Sequence, residues 1–261
     1  MSQEIKTIAT HSDIELTEEE ISDAIEYAKQ KKIDALKQAE IAKYNQHVEN
    51  EIRRDWNHED LKAFVIARAQ DRGMAFVVDE PISLLFEALC YYFTGDKHFE
   101  SMTPEGRRPW NLNKGLLLCG GVGTGKTTLL KVFNLNKRRA FKIVSCKHIA
   151  AKYADVGNDA ITEHSGHWHV PTSRDYFYQN KIGICFDDLG DEDSRKNFGN
   201  QANVMADIIQ NRYDSGVPYH FTHITTNLTM DEIESFYGTR VRSRIREMFN
   251  IIQLDGEDRR K

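Results

Sequence analysis

A glycine-rich run at positions 120–128 is the first group of residues in the sequence that could form a functional site. It consists of Gly120, Gly121, Val122, Gly123, Thr124, Gly125, Lys126, Thr127 and Thr128. Glycines at this spacing let backbone N–H groups turn towards phosphate oxygens without clashes from side chains. Lys126 would reach the outer phosphates, and the Thr127 hydroxyl could coordinate Mg²⁺. The run therefore predicts a binding site for ATP and Mg²⁺.

A pair of acids follows an apolar run at 182–186. If this run is a strand of a parallel sheet, its carboxyl end lies beside the glycine loop. We expect Asp187 to hold Mg²⁺, directly or through water, and Asp188 to orient and deprotonate an attacking water. Asp191 and Glu192 are weaker candidates for the second role. Either member of the pair could instead only cap the turn that follows.

Two further features suit a nucleotide site. Asn227 ends another apolar run and could sense the terminal phosphate, or could be an ordinary turn residue. Arg240 and Arg244 are four residues apart and share one face of a predicted helix. Such a pair could reach the nucleotide of a neighbouring subunit, where an arginine raises turnover by roughly 10³–10⁵-fold. The alternative is a solvated basic face.

The elements that must position these residues lie within 114–261, where short apolar runs alternate with helical patterns. We predict strands at 115–119, 141–146, 182–186, 220–226 and 251–254. This alternation is typical of an α/β fold in which helices cover a parallel five-stranded sheet.

The first 113 residues have a different pattern. Residues 1–16 are expected to be a flexible tail and 17–113 a helical N-terminal region that binds a partner, with a linker at about 94–113. Thr17 and Glu20 form a capping-box pattern, which predicts a long helix reaching about residue 54. The apolar side of this helix is thin, so we expect it to pack against a second element or a partner protein.

Composition narrows the class of protein. The chain has 261 residues, of which 40% are hydrophobic and 29% charged, so a sizeable core is possible. Its formal net charge is −5, and any contact with nucleic acid must therefore be local. No signal-peptide pattern and no apolar run near 20 residues is present, which predicts a cytoplasmic protein without membrane contact. The four cysteines lack the spacing of a zinc site and are expected to be buried thiols.

With these residues assembled, the segment from about Gly115 to Lys261 resembles the AAA+ ATPases of the DnaC/DnaI helicase-loader and IstB transposition-helper group. The resemblance rests on stretches in the expected order at 120–128, 186–190, 211–213, 225–228 and 237–245. It implies a P-loop AAA+ core in which Asn227 is the first sensor, Arg244 the arginine finger and Arg240 its companion. Arg259, or Arg260 beside it, would be the second sensor. Asp188 stands where the wider class usually has Glu.

The resemblance also implies a function. The expected protein is a Mg²⁺-dependent ATPase of DNA replication that forms a ring or spiral homo-oligomer with ATP at the subunit interfaces. It would load a replicative DNA helicase and assemble on single-stranded DNA. An IstB-like transposition helper shares the same core and remains an alternative. A nucleotide-dependent scaffold with little hydrolysis is another, suggested by Asp188, whereas the Asn227 tip and Arg244 argue against a small-molecule kinase.

The segment 155–180 corresponds to a region where loaders carry an inserted helical element that contacts single-stranded DNA. Aromatic residues near Arg174 could stack on bases or serve only for packing. His164, His167 and His169 could suggest a metal, although they lack a fourth ligand and a helical spacing. The basic run 137–139 is a further possible phosphate contact, or a solvated turn.

Overall fold

The structure is a computed structural model that describes residues 16–53, 55–74, 76–166, 181–192, 195–197, 200–256 and 258–259. The chain divides into two compact units, Met1–Arg54 and Asp55–Lys261. Among the described helices, none is both long and apolar enough to cross a lipid bilayer.

The first unit contains one long helix, α1 (Glu18–Arg53). The predicted capping box is confirmed, because the Glu20 backbone donates to Thr17 Oγ1 at 3.3 Å while the Glu20 carboxylate accepts from the Thr17 backbone at 2.8 Å. Ile25 and Leu36 are 50% and 63% exposed. The apolar side chains Ile25 and Leu36 are therefore left largely unburied within this unit.

The second unit is built on a parallel sheet, which confirms the predicted α/β class. The five strands have the order β2-β3-β6-β1-β7 and are parallel throughout. The strands are β1 (Gly115–Gly120), β2 (Phe141–Ser145), β3 (Gly183–Leu189), β6 (Thr222–Thr226) and β7 (Phe249–Leu254). A separate antiparallel pair, β4 (Arg195–Asn197) and β5 (Asn200–Ala202), was not predicted because that segment has no apolar alternation.

Helices cover both faces of the sheet. They are α2 (His58–Asp71), α3 (Glu80–Thr94), α4 (His98–Ser101), α5 (Lys126–Phe133), α6 (Cys146–Val156), α7 (Asn158–Ser165), α8 (Val204–Asp214) and α9 (Met230–Met248). Successive side chains of a strand point to opposite faces, so Leu116 and Leu118 join one core and Leu117 joins the other. The first core includes residues of α2, α3 and α5, and the second includes residues of α6, α8 and α9.

The division between the units differs from the predicted boundary at 113/114. Phe86 and Phe93 of α3 pack against Phe133 of α5, with ring centroids 5.3 and 5.1 Å apart. Burying a phenylalanine side chain contributes about 2–3 kcal/mol. Buried residues of α2 and α3 belong to the first core of the sheet. The structure consequently separates the chain after Arg54.

Some strand boundaries also differ from the sequence-based ones. β3 continues past 186 to Leu189 through an irregularity in its pairing with β6. β6 starts at Thr222 because Tyr219–Phe221 forms a 3₁₀ turn after Pro218. Cys146 begins α6 instead of ending a strand. All four cysteines are free and buried, as expected.

Candidate nucleotide site

The glycine loop connects the end of β1 to the start of α5. Gly123 and Gly125 have φ angles of 80° and 92°, a left-handed conformation that strains residues with a side chain. A Cβ at Gly123 would also collide with the carboxylate of Asp258. Gly125 is the N-cap of α5, so the loop leads directly into the positive end of a helix. This backbone geometry suits phosphate binding.

Lys126 is the first residue of α5 and is 5% exposed. Its ammonium donates to the carbonyl oxygens of Gly120 at 2.9 Å and Gly121 at 2.7 Å. It also donates to Asn227 Oδ1 at 2.7 Å. Asn227 follows β6, so the lysine joins the glycine loop to the end of a neighbouring strand.

Asp187 is joined to two hydroxyl groups. Thr127 Oγ1 and Thr225 Oγ1 each donate to Asp187 Oδ1 at 2.7 Å. A threonine hydroxyl and a carboxylate are hard oxygen ligands of the kind that Mg²⁺ prefers. The donor set of Thr127 and Asp187 therefore fits a magnesium ion.

Asp188 has an unusual backbone conformation. Its φ of 56° is the only positive value among the non-glycine residues that the structure describes. Its backbone N–H donates to Thr225 Oγ1 at 2.9 Å, so one hydroxyl contacts both members of the acid pair. Asp188 also lines the candidate nucleotide cavity. Sequence reasoning missed Thr225 as a site residue, although it stands two positions before Asn227.

A cavity of about 500 Å³ opens over these residues. Its lining includes residues 122–129 of the loop and α5, together with Asp188, Asp191 and Asn227. Apolar side chains also line it, namely Phe76, Val77, Ile82 and Leu254. The cavity therefore combines polar groups that suit phosphates with apolar side chains that suit a nucleotide base. Gly120, Gly121 and Asp187 do not line the cavity. They are hydrogen bonded to Lys126 and Thr127, which do.

Arg259, near the C-terminus, lies against the glycine loop and lines the cavity. The Arg259 backbone N–H donates to the Gly123 carbonyl at 3.0 Å. The Arg259 guanidinium pairs with Asp79 at 3.0 Å, and Arg259 also lines the cavity. The carboxylate of Asp258 lies against Gly123. Its negative charge repels phosphate, and the sequence did not reveal this contact. Arg260 lies outside the described residues.

Arg240 and Arg244 do not line this cavity. Arg240 is exposed. The Arg244 guanidinium carbon lies 3.7 Å from the ring centroid of Tyr213, and Nη2 lies 3.8 Å from Asp214. Arg244 Nε is buried and has no hydrogen-bond partner within the described chain. The two arginines are therefore separate from the chain's own glycine loop.

The half-buried Glu192 connects Gly190, which follows β3, to α9. Glu192 accepts hydrogen bonds from the Tyr237 hydroxyl and, at 2.8 Å, from the Gly190 backbone. Burial raises the pKa of Glu192. Tyr237 precedes Gly238, where α9 kinks with φ 87°. Glu192 is thus occupied in this link, whereas Asp191 lines the cavity.

The other sequence-predicted features stand apart from the cavity. His164 Nδ1 contacts the Ala160 carbonyl at 2.8 Å, and burial lowers the pKa of this histidine. His167, His169 and Arg174 lie outside the described residues. Lys137 and Arg139 stack on Trp56 and Tyr92, which differs from a solvated turn.

Comparison with known proteins gives similarity in fold. No protein-family model matches the chain, and no curated protein matches it significantly. Similar solved structures include DnaI, at 20% identity over 71% of this chain and 88% of that one, with a TM-score of 0.42. The DnaC helicase loader is 23% identical over 55% of this chain and 79% of that one, with a TM-score of 0.38. AMPPCP-bound DnaA from Aquifex aeolicus is 16% identical over 70% and 50%, with a TM-score of 0.41.

Proposed function

We propose that the chain binds ATP and Mg²⁺ at the glycine loop and hydrolyses ATP. The observation that carries this proposal is the meeting of three strand ends at one cavity. Lys126 contacts Asn227, and the Thr225 hydroxyl contacts both Asp187 and Asp188. A glycine turn with no role in nucleotide binding would not need these groups in one place.

The chemistry follows from the positions of these groups. Bound Mg²⁺ would neutralise phosphate charge and polarise the terminal phosphoryl group. Thr127 and Asp187 would hold the ion, while the loop N–H groups and Lys126 would bind phosphate oxygens. Asp188 would orient a water molecule and accept its proton. The side chain of Asn227 accepts a hydrogen bond from Lys126. Its amide would sense the terminal phosphate.

We propose that a neighbouring subunit completes the site. Arg244, with Arg240 beside it on α9, would contact the nucleotide of the next chain, since neither lines the chain's own cavity. The Arg244 guanidinium would exchange its contact with Tyr213 for a phosphate, a stronger partner for arginine. Glu192 and Tyr237 would connect this helix to the acid-bearing turn. Arg259 is the candidate for the second sensor.

The biological task that we propose is loading a replicative DNA helicase onto single-stranded DNA. It is supported by the order of the motifs along the AAA+-like segment and by the helical region before it. We assign the helicase contact to the N-terminal region, where α1 exposes apolar side chains, including Ile25 and Leu36. ATP binding would assemble the subunits into a ring or spiral, and hydrolysis would release them.

The test combines turnover with assembly. ATP hydrolysis by the full chain is measured with and without single-stranded DNA and a replicative helicase, while the mass of the assembly is recorded. We expect ATP to increase the mass and at least one partner to change the rate. If neither partner alters rate or mass, the loader proposal fails even if hydrolysis is observed. Sustained binding to bent duplex DNA and a transposase would instead identify a transposition helper.

A further inference from the structure

A second cleft lies beside β7, one of the two edge strands of the five-stranded sheet. Its volume is about 410 Å³, and none of its lining residues lines the nucleotide cavity. Four cationic side chains come from three separate parts of the chain. They are Arg107, Arg108, Lys114 and Arg246. Long-range folding therefore gathers positive charge that no single sequence run contains.

The positive charge in this cleft is poorly balanced. Within the described residues, Arg107, Arg108 and Arg246 form no ion pair with a carboxylate. Lys114 Nζ donates to the Arg246 carbonyl at 3.3 Å. Burial and the neighbouring Arg108 lower the pKa of Lys114, and Glu247 opposes them. Glu247 also accepts hydrogen bonds from Tyr213 and Tyr219, so it is shared with other groups.

We infer that this cleft binds a single strand of nucleic acid through its phosphodiester backbone. Arginine side chains bind phosphate in a bidentate manner, and three arginines line the cleft. The formal net charge of the chain is −5, so a general attraction of the whole surface for polyanions is excluded. The inference rests on the proposed function, because it names the surface that would hold the single strand.

The walls of the cleft indicate which part of the strand is recognised. Trp110 is only 8% exposed and is stacked on Phe99, with centroids 5.0 Å apart and an interplanar angle of 15°. It is therefore unavailable as a platform for bases. The remaining lining residues add no charge; they are Pro109, Met230, Phe249, Asn250 and Ile251. Backbone contacts alone carry no base information, so binding should not depend on sequence.

The number of phosphate contacts determines how strongly salt weakens the binding of the strand. Each phosphate neutralised on a single strand contributes about −0.7 to the slope of log affinity against log salt, so four contacts give about −3. Replacing Arg107 and Arg108 by alanine should reduce the slope by about 1.4 and weaken binding roughly 25-fold at 0.1 M salt. Both side chains are exposed, so the fold should be unaffected.

The experiment measures binding of fluorescein-labelled oligothymidylate to the full chain by anisotropy at several salt concentrations. The test variant is Arg107→Ala with Arg108→Ala. The matched control is Arg72→Ala with Lys142→Ala, two exposed cations outside the cleft. Inorganic tripolyphosphate is added as a competitor at a matched concentration of phosphate groups. ATP hydrolysis without DNA and the thermal midpoint are measured for every protein.

A loss of oligonucleotide affinity in the test variant but not in the control, with unchanged ATP hydrolysis and thermal midpoint, supports binding of the strand in this cleft. Equal binding by the wild type and the test variant overturns it, while leaving the proposed ATPase and its DNA contact intact. Equal losses in the test and control variants also overturn it, since binding would then follow overall charge. Displacement of the oligonucleotide by tripolyphosphate would overturn the assignment to nucleic acid and identify the cleft as a site for free phosphate. Wild-type protein that hydrolyses ATP but does not bind the oligonucleotide overturns both the cleft and the DNA part of the proposed function.

Discussion

The ammonium of Lys126 donates a 2.7 Å hydrogen bond to Oδ1 of Asn227, 101 positions further along the chain. This contact connects the glycine loop at the end of β1 to the residue after β6. A phosphate that attracts the ammonium must compete with an uncharged amide oxygen, and a charged acceptor forms the stronger bond. Phosphate binding would therefore release the Asn227 side chain, which gives this residue a physical means of sensing the nucleotide.

Thr225→Val tests the shared hydroxyl. The change removes one hydrogen bond to Asp187 and the acceptor of the Asp188 N–H, so both acids lose a positioning contact. We expect ATP hydrolysis to fall about 10–100-fold, as for a loss of roughly 1.4–2.7 kcal/mol in transition-state stabilisation. Turnover and ATP affinity are measured separately, and affinity should change little.

The matched control for that variant is Thr226→Val, at the adjacent buried threonine. Its hydroxyl donates to the Leu189 carbonyl at 2.6 Å and accepts from the Leu228 backbone, so it contacts neither acid. Both variants should lose about 1–3 kcal/mol of folding stability because each leaves buried backbone groups unpaired. Equal turnover in the two variants would mean that Thr225 only stabilises the fold.

Asp188→Asn should separate binding from chemistry. The amide keeps the shape of the side chain but cannot accept a proton, so we expect hydrolysis to fall by about 10²–10⁴-fold with ATP affinity retained. The control is Asp191→Asn, because Asp191 also lines the cavity and is exposed. Substantial turnover in Asp188→Asn would assign the proton acceptor to another group and weaken the proposed mechanism.

Arg244→Ala tests completion of the site by a neighbour. We expect nearly normal ATP binding and a loss of turnover of about 10³-fold or more. A mixture with Asp188→Asn should recover part of the activity, because some interfaces would combine an intact acid with an intact arginine. The control is Arg242→Ala, whose guanidinium is held by Asp231 and Glu234 on the same chain. Absence of recovery in the mixture would argue for an arginine that acts within its own subunit.

Histidine burial predicts a loss of stability in mild acid. Burial, followed by Arg139 and Arg138, lowers the pKa of His220 to about 4. The unfolded chain then binds more protons than the folded chain between about pH 6.5 and pH 4, so stability is present above this window and lost as the pH falls through it. Burial lowers the pKa of His164 and His223 as well, which adds to the same trend.

Urea unfolding at pH 7.5 and pH 5 measures this effect. We expect His220 to account for on the order of 1–2 kcal/mol of the decrease, after allowance for its partial exposure. His220→Gln should have a correspondingly smaller dependence on pH in this range. An identical pH dependence in the variant and the wild type would show that His220 does not contribute.

The sequence predicted those parts of the site that depend on local geometry. The glycine loop and the acids near the carboxyl end of β3 lie within reach of each other because parallel strands place their carboxyl ends at one edge of a sheet. Thr225 was missed because the sequence does not reveal which of two adjacent hydroxyls faces the acids. The link from Glu192 to Tyr237 depends on a turn and a kink that are 45 positions apart. The attachment of α3 to the sheet could not be predicted because an amphipathic helix does not specify its partner.

Lys126→Ala, compared with the wild type in direct titration with Mg²⁺ and ATP, tests the nucleotide site most directly. Lys131→Ala is the matched control, since Lys131 is an exposed lysine on the same helix. We expect the wild type and Lys131→Ala to bind ATP only weakly in the absence of Mg²⁺ and tightly in its presence. Lys126→Ala should lose tight binding while its circular dichroism spectrum stays unchanged. Unchanged ATP binding by folded Lys126→Ala would contradict the assignment of the glycine loop as the nucleotide site.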